Sequence, residues 1–271
     1  MKTTKIKPRN GIIEFNYKEV WEYRQLLLSL AWRDIKVRYV QSILGFSWLV
    51  IKPLLSLAVL AFIFNQVIRV GTDGVPPLLF TASGVVVWSF FSSIIDDSSN
   101  SILNAQEMVK KIYFPRIVLP ASKALSSLPE FVASILILLF LLLYFDIEWT
   151  PSILWFPLFI LLIMLLGSGL GILISSLTIR YRDLKFVVPF FLRIGLYISP
   201  IAYSSNLIPD KYSFLLYLNP IVGIVDGIRW SLFGVTYDFS HIWFCCISIP
   251  LIFLASNFIF FKNEHTIADI I

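Results

Sequence analysis

The chain has 271 residues, of which 58% are hydrophobic, 16% aromatic and only 14% charged. An ordinary soluble protein carries roughly 25% charged residues, so a water-soluble globule is excluded. The apolar residues gather in blocks of about 20, the length a helix needs to cross a hydrocarbon core of about 30 Å, whereas barrel strands would alternate in much shorter pieces. The formal charge of +5 forms no basic stripe on a soluble face, which argues against a nucleic-acid partner.

The sequence predicts an all-α polytopic membrane protein organised as a single transmembrane domain over residues 1–271. Residues 1–43 form a cytoplasmic N-terminus, residues 44–261 hold six spans, and 262–271 form a cytoplasmic tail. The first 43 residues carry scattered charge in place of a short apolar core and a small-residue cleavage site, so no cleavable signal peptide is expected. Within them, Leu28, Trp32, Ile35, Tyr39 and Ile43 recur at helical spacing. Lys36 and Arg38 flank this stripe, as in an amphipathic helix lying at a membrane interface.

Spans are expected at 44–68, 78–95, 124–145, 152–179, 186–204 and 241–261. Lys52 falls inside the first and Arg193 midway along the fifth, where an ionised group is costly unless it faces a cavity or snorkels. Glu130, near the start of the third, has no evident partner in the sequence. Between spans two and three lies a polar insert, residues 96–123, interrupted by Pro115. Asp96, Asp97, Ser98, Ser99 and Asn100 are candidates to cap its helix, and Lys110 and Lys111 suit its C-terminal end. A short basic turn with Arg180, Arg182 and Asp183 joins spans four and five.

Residues 205–240 are fairly apolar but contain Asn219, Pro220, Asp226 and Arg229, which suits a re-entrant external hairpin better than a span in lipid. With the N-terminus inside, nine Lys/Arg precede Leu44, four lie in the second-to-third connection, three in the fourth-to-fifth and one in the tail. Only Arg69, Lys211 and Arg229 lie outside. That asymmetry places both termini in the cytoplasm by the positive-inside rule. If 205–240 crossed as a seventh span the tail would be external, and Lys262 alone opposes this.

Cys245 and Cys246 are adjacent in an apolar run, a spacing that suits neither a structural disulfide nor a metal site. His241 and His265 form no metal cluster. No GxxxxGK[ST] phosphate loop is present, so nucleotide hydrolysis is not expected in this chain.

The block WRDIKVRYVQSILGFSWLVIKPLL (Trp32 to Leu55) is followed in order by FVVPFFLRIGLYISPIAYS (Phe186 to Ser204), YLNPIVGIVDGIRWSLFG (Tyr217 to Gly234) and FKNEHTIADII (Phe261 to Ile271). Together they resemble the permease family of ABC-2-type polysaccharide exporters, which serve O-antigen, teichoic acid and capsule export. The resemblance implies a bacterial inner-membrane transport subunit and not an enzyme. It implies a second copy of the chain as partner, and a separate ATPase subunit that binds ATP and Mg, with no cofactor in this chain. The cargo would be a lipid-diphosphate-linked polysaccharide, O-antigen first.

On that resemblance Gln106, Glu107, Lys110 and Lys111, with Arg180, Arg182 and Asp183, are the expected ATPase contacts. Lys36, Arg38 and Lys52 are candidates to meet lipid or diphosphate headgroups, and Trp48, Trp88, Phe90 and Phe91 to line a glycan path. A secondary transporter or a membrane-embedded glycosyl or acyl transferase are the alternatives. The first needs coupling carboxylates within its spans. The second needs a catalytic constellation at a membrane face, which only Asp96 and Asp97 imitate.

Overall fold

The computed structural model describes residues 17–40, 42–68, 71–148, 150–235 and 239–270, and among these all regular structure is helical. Among the described residues five helices are long and apolar enough to cross a membrane: Gly45–Ile68, Pro77–Ser99, Val118–Tyr144, Pro151–Arg180 and Ser240–Glu264. They coincide with the expected first four spans and the last. The basic residues before Tyr17, and Arg69, lie outside the described residues.

The chain begins with α1 (Tyr17–Glu22) and α2 (Arg24–Tyr39). α2 buries Leu30, Ala31, Ile35 and Tyr39, while Leu28, Trp32 and Ile43 of the expected stripe are exposed. The packed face is rotated towards Asp34 and Arg38 because both are tied to the bundle, through Lys123 and Asp97 respectively. Leu28 and Trp32 are thereby left free on a half-apolar outer surface.

α3 (Trp48–Ala61) continues through a π-helical stretch, Phe62–Ile68. α4 (Pro77–Ser99) is the most enclosed span: Leu79, Ile94 and Thr81 are each 0% exposed. It runs on through Asp96, Asp97, Ser98 and Ser99, so these are not caps of the insert, and Asn100 makes no side-chain cap bond. The insert proper contains α5 (Ser101–Asn104) and α6 (Gln106–Lys111), with Lys110 and Lys111 in the last turn of α6 as expected.

The third span starts earlier than expected, with α7 (Val118–Ser126) and α8 (Leu128–Tyr144) in close succession. Pro129 explains the joint, since it lacks an N–H and its ring crowds the carbonyl four residues back. α9 (Phe156–Arg180) packs closely on α4 because Gly167 and Gly171, one turn apart, meet Ile94 and Ser98. A Cβ on Gly171 would lie 2.7 Å from that of Ser98. Small residues at such spacing let membrane helices approach closely.

The expected fifth span, 186–204, differs most. α10 (Leu184–Ile198) has only 15 residues, about 22 Å at 1.5 Å per residue. It stops at Ser199, extended at φ −78° and ψ 144°, because a residue before proline is driven out of the helical region. The non-helical residues after it reach the opposite end of the bundle, where Ser204 Oγ donates to Asp73 at 2.5 Å.

Beyond lie α11 (Ser213–Leu218) and α12 (Pro220–Phe233). α12 is fully specified locally: Asn219 caps it by accepting from the Ile221 N–H at 3.2 Å, Pro220 opens it, and Gly234 ends it at φ 68°. At its C-terminal end Ser152 Oγ donates to the Trp230 carbonyl at 3.3 Å. At its other end the Cys245 thiol donates to the Pro220 carbonyl at 3.4 Å. α13 (Phe239–Ile270) closes the fold.

The bundle therefore has two distinct ends. One, the insert end, gathers α1, α2, residues 100–117, Arg180 and Glu264. The other, the loop end, gathers residues 72–76, 150–152, 204–206 and 230–235.

Candidate functional site

A cavity of about 550 Å³ opens near the insert end, between α4, α8 and α10. Cations reach it from three elements: Arg38 from α2, Lys52 from α3 and Arg193 from α10. Asp96, Asp97 and Glu130 face them, and Trp88 with Ser89, Ser92 and Ser93 forms the α4 wall. Gly195 brings α10 against Trp88, since a Cβ there would stand 2.6 Å from the indole ring.

The charges are cross-linked. Arg38 Nη2 donates to Asp97 Oδ2 at 2.5 Å, a charge-assisted bond of the stronger kind. Its Nη1 lies 3.9 Å from Glu130. Tyr39 OH donates to Glu130 Oε2 at 3.2 Å, and Lys52 Nζ lies 4.0 Å away. Glu130 thus has three partners, contrary to the sequence expectation. Lys52, Arg193 and Glu130, three charges that hydropathy alone leaves anomalous inside spans, surround one polar space. That convergence was the missed signal, because intramembrane ionisable groups usually pair or face water.

Electrostatics keep α2 in place. Burial alone would lower the Arg38 pKa, but the adjacent Asp97 carboxylate outweighs it and raises the guanidinium above its ordinary value. Burial, followed by the Glu130 carboxylate, pushes the Tyr39 phenol up to about 12, so it stays a proton donor at neutral pH. Further along α2, Lys123 Nζ donates to Asp34 at 2.6 Å.

The second candidate region is the insert. Gln106 is half-buried, whereas Glu107, Lys110 and Lys111 are exposed. Glu107 and Lys111 pair at 3.4 Å with both side chains largely in solvent, an arrangement worth little in stability that leaves them free for a partner. Arg180, Arg182 and Asp183 are also exposed. Ile179, next to Arg180, shares an apolar cluster with Phe114 and Ile117 at the end of the insert, so the two patches rest on one foundation.

The sequence pattern of the family described as ABC-2 type transporter matches residues 25–233. The chain belongs to the ABC-2 type transporter family. An O-antigen export system permease protein RfbA of Klebsiella pneumoniae is 30% identical over 250 residues, covering 91% of this chain and 95% of that protein. The RfbA of Myxococcus xanthus is 30% identical over 215 residues, with 78% and 82% covered. A polysialic acid transport protein KpsM of Escherichia coli is 26% identical over 209 residues, with 74% and 78% covered.

In this ABC-2 family member the remaining expected residues are dispersed. Lys36 is exposed, with Nζ 5.5 Å from the Trp32 ring centroid. Trp48 is half-buried and does not line the cavity. Phe90 and Phe91 are 3% and 4% exposed, and Phe90 stacks on Phe131 at 3.9 Å inside the core. Of the four aromatic candidates only Trp88 lines the cavity.

Proposed function

We propose that this chain is the permease subunit of an ATP-driven exporter of a lipid-linked polysaccharide, O-antigen first, in the bacterial inner membrane. It acts with a second copy of itself, and a separate ATPase subunit binds ATP and Mg. Likeness over nearly the whole length of an O-antigen export permease carries this reading. An ABC exporter consumes ATP, and these 271 residues contain no phosphate loop, so hydrolysis belongs to the partner. Affinity purification of the tagged chain from native membranes should retain the ATPase in equal amount; export by the reconstituted chain alone would refute the proposal.

Six crossings follow if α10 and residues 199–204 together traverse the bundle. The contacts of Arg180-adjacent residues at one end and of Ser204 with Asp73 at the other support this. Residues 205–235 then form a re-entrant hairpin, favoured by contacts at both its ends with the same external connections: Asn206 with Asp73, and Trp230 with Ser152. Both termini are cytoplasmic on this reading. Membrane-impermeant thiol reagents should label cysteines introduced at Asn206 and Ser240 from the same, external side. Labelling at Ser240 from the cytoplasm would require a further crossing.

On the same reading Lys36 meets headgroups at the leaflet surface, and the charged cavity receives the cargo diphosphate. Arg38 and Lys52 already have carboxylate partners, so an arriving diphosphate exchanges partners with Asp97 and Glu130 and does not fill an empty site. Trp88 offers the first aromatic surface to the glycan, with Trp48 nearer the start of the first span. α6 and the Arg180–Asp183 turn face the ATPase.

A further inference from the structure

Between α6 and α7 the chain passes through a non-helical elbow, residues 112–117, extended at Ile112 and turning at Arg116 and Ile117, and gripped from three directions. Tyr113 OH donates to Glu19 Oε1 of α1 at 3.2 Å, and Tyr23 OH donates to the Tyr113 carbonyl at 3.5 Å. On the other side Arg116 and Glu264 of α13 hold one another reciprocally across 148 residues of sequence. The Arg116 backbone N–H donates to Glu264 Oε1 at 3.1 Å, and Arg116 Nη1 donates to the Glu264 carbonyl at 2.5 Å. Beneath these polar contacts Phe114 and Ile117, 4% and 5% exposed, are plugged into an apolar cluster with Leu30 of α2 and with Phe260 and Phe261 of α13.

α6 itself is anchored differently. No residue of it is fully buried: it joins the body through α5 on one side, the elbow on the other, and the partly buried Met108 and Val109, which rest on the same apolar cluster. All three connections touch that cluster, and the elbow is the one that adds hydrogen bonds both to α1 and to the last span. The turn at its end is closed locally, the Val118 N–H donating to the Pro115 carbonyl at 3.1 Å, but the Tyr113 carbonyl and the Arg116 N–H are met from outside, by Tyr23 and Glu264, so external partners help to fix its shape. Pro115 drives Phe114 before it out of the helical region and has no N–H to offer, so α6 cannot run on into α7.

We infer that the 112–117 elbow is the joint that carries movement of the insert to α13 and the N-terminal helices, with Arg116 and Glu264 as positioning residues. This rests on the reading of α6 as the ATPase contact. Force applied at α6 moves the elbow as one piece with the insert-side end of α13, and the Arg116–Glu264 clamp prevents the elbow from flexing instead. Packed interfaces of this kind pass on discrete shifts because they do not deform continuously.

The test compares Glu264→Ala with Glu264→Gln in the permease–ATPase complex. Gln keeps an oxygen to accept the Arg116 N–H, whereas Ala does not. Glu264→Ala should lower glycan export on the order of tenfold, the scale set by losing one charge-assisted hydrogen bond. ATPase activity and co-purification should stay near wild type, and Glu264→Gln should restore most export. Spin labels at Ile112 and Lys262 of the purified permease, with Cys245 and Cys246 replaced by Ser, supply a second readout. Their distance distribution should be narrow with Glu264 or Gln and broad with Ala. Normal export by Glu264→Ala, or equal distributions in all three, would overturn the inference. Absence of any ATPase from the wild-type preparation would instead sink the functional reading, and the label distances would still decide the clamp.

Discussion

Replacing Arg229 by Met should lower the stability of the solubilised protein by about 3–5 kcal/mol, the usual cost of removing one partner of a buried ion pair. The residue is 2% exposed. Its Nη1 donates to the Pro200 carbonyl at 3.0 Å and its Nη2 to the Ile201 carbonyl at 2.6 Å. Nη1 also lies 3.4 Å from Asp226, and the guanidinium stacks 3.6 Å from the Phe80 ring centroid. Without it three carbonyls, those of Pro200, Ile201 and Tyr203, lose a donor and Asp226 is left with the Ser205 hydroxyl, 2.7 Å away. Each loss leaves a desolvated polar atom unpaired. Lys should not substitute, because one ammonium cannot fork to several carbonyls and stack on a ring together. Thermal unfolding in detergent measures the effect, and a midpoint unchanged in Arg229→Met would refute this account of the hairpin.

Gly84 belongs to the same device. A Cβ there would fall 2.1 Å from the Ile201 carbonyl oxygen, so only glycine lets residues 199–204 lie against α4 where Arg229 reaches them. The sequence marked Asp226 and Arg229 as unsuited to lipid, and their placement inside protein agrees with that. Their partners could not be read, since backbone carbonyls leave no trace in residue identity. α12, by contrast, was legible from Asn219, Pro220 and Gly234 alone, because caps act over a few residues. Hydropathy located five spans for the same reason: transfer into lipid is a sum over each segment by itself.

Where neighbours decide the outcome, the sequence was a poorer guide. The rotation of α2 depends on Lys123 and Asp97, 89 and 59 residues from their partners. The shortening of α10 was within reach, because Ser199–Pro200 is a local stop; the apolar run from 186 to 204 concealed it by satisfying a length criterion without being helical throughout. Lys52, Glu130 and Arg193 were each conspicuous, but their convergence needed the packing of three helices. Phe90 and Phe91 were proposed for a glycan path on residue type, and aromatic residues fill cores as readily as they line channels.

Reversing Lys110 and Lys111 to Glu should abolish export while leaving the protein inserted and folded. Both residues are exposed at the last turn of α6, where substitutions usually alter stability by no more than about 0.5 kcal/mol. The helix itself suffers a little, because carboxylates at its C-terminus oppose the dipole that the lysines favour, at about 0.3–1 kcal/mol each, and the Glu107 pair at 3.4 Å becomes repulsive. These terms are small beside the effect expected at a docked interface, where like charges brought together cost several kcal/mol. Membrane abundance should therefore be normal, ATPase co-purification weakened or its activity uncoupled, and surface delivery of the glycan lost. Replacement by Gln, which removes charge without reversing it, should give an intermediate phenotype if electrostatic complementarity is the cause. Normal abundance with normal export in the Glu variant would remove α6 from the coupling surface, and loss of abundance would show that these lysines serve insertion, through the positive-inside bias of the loop that carries them.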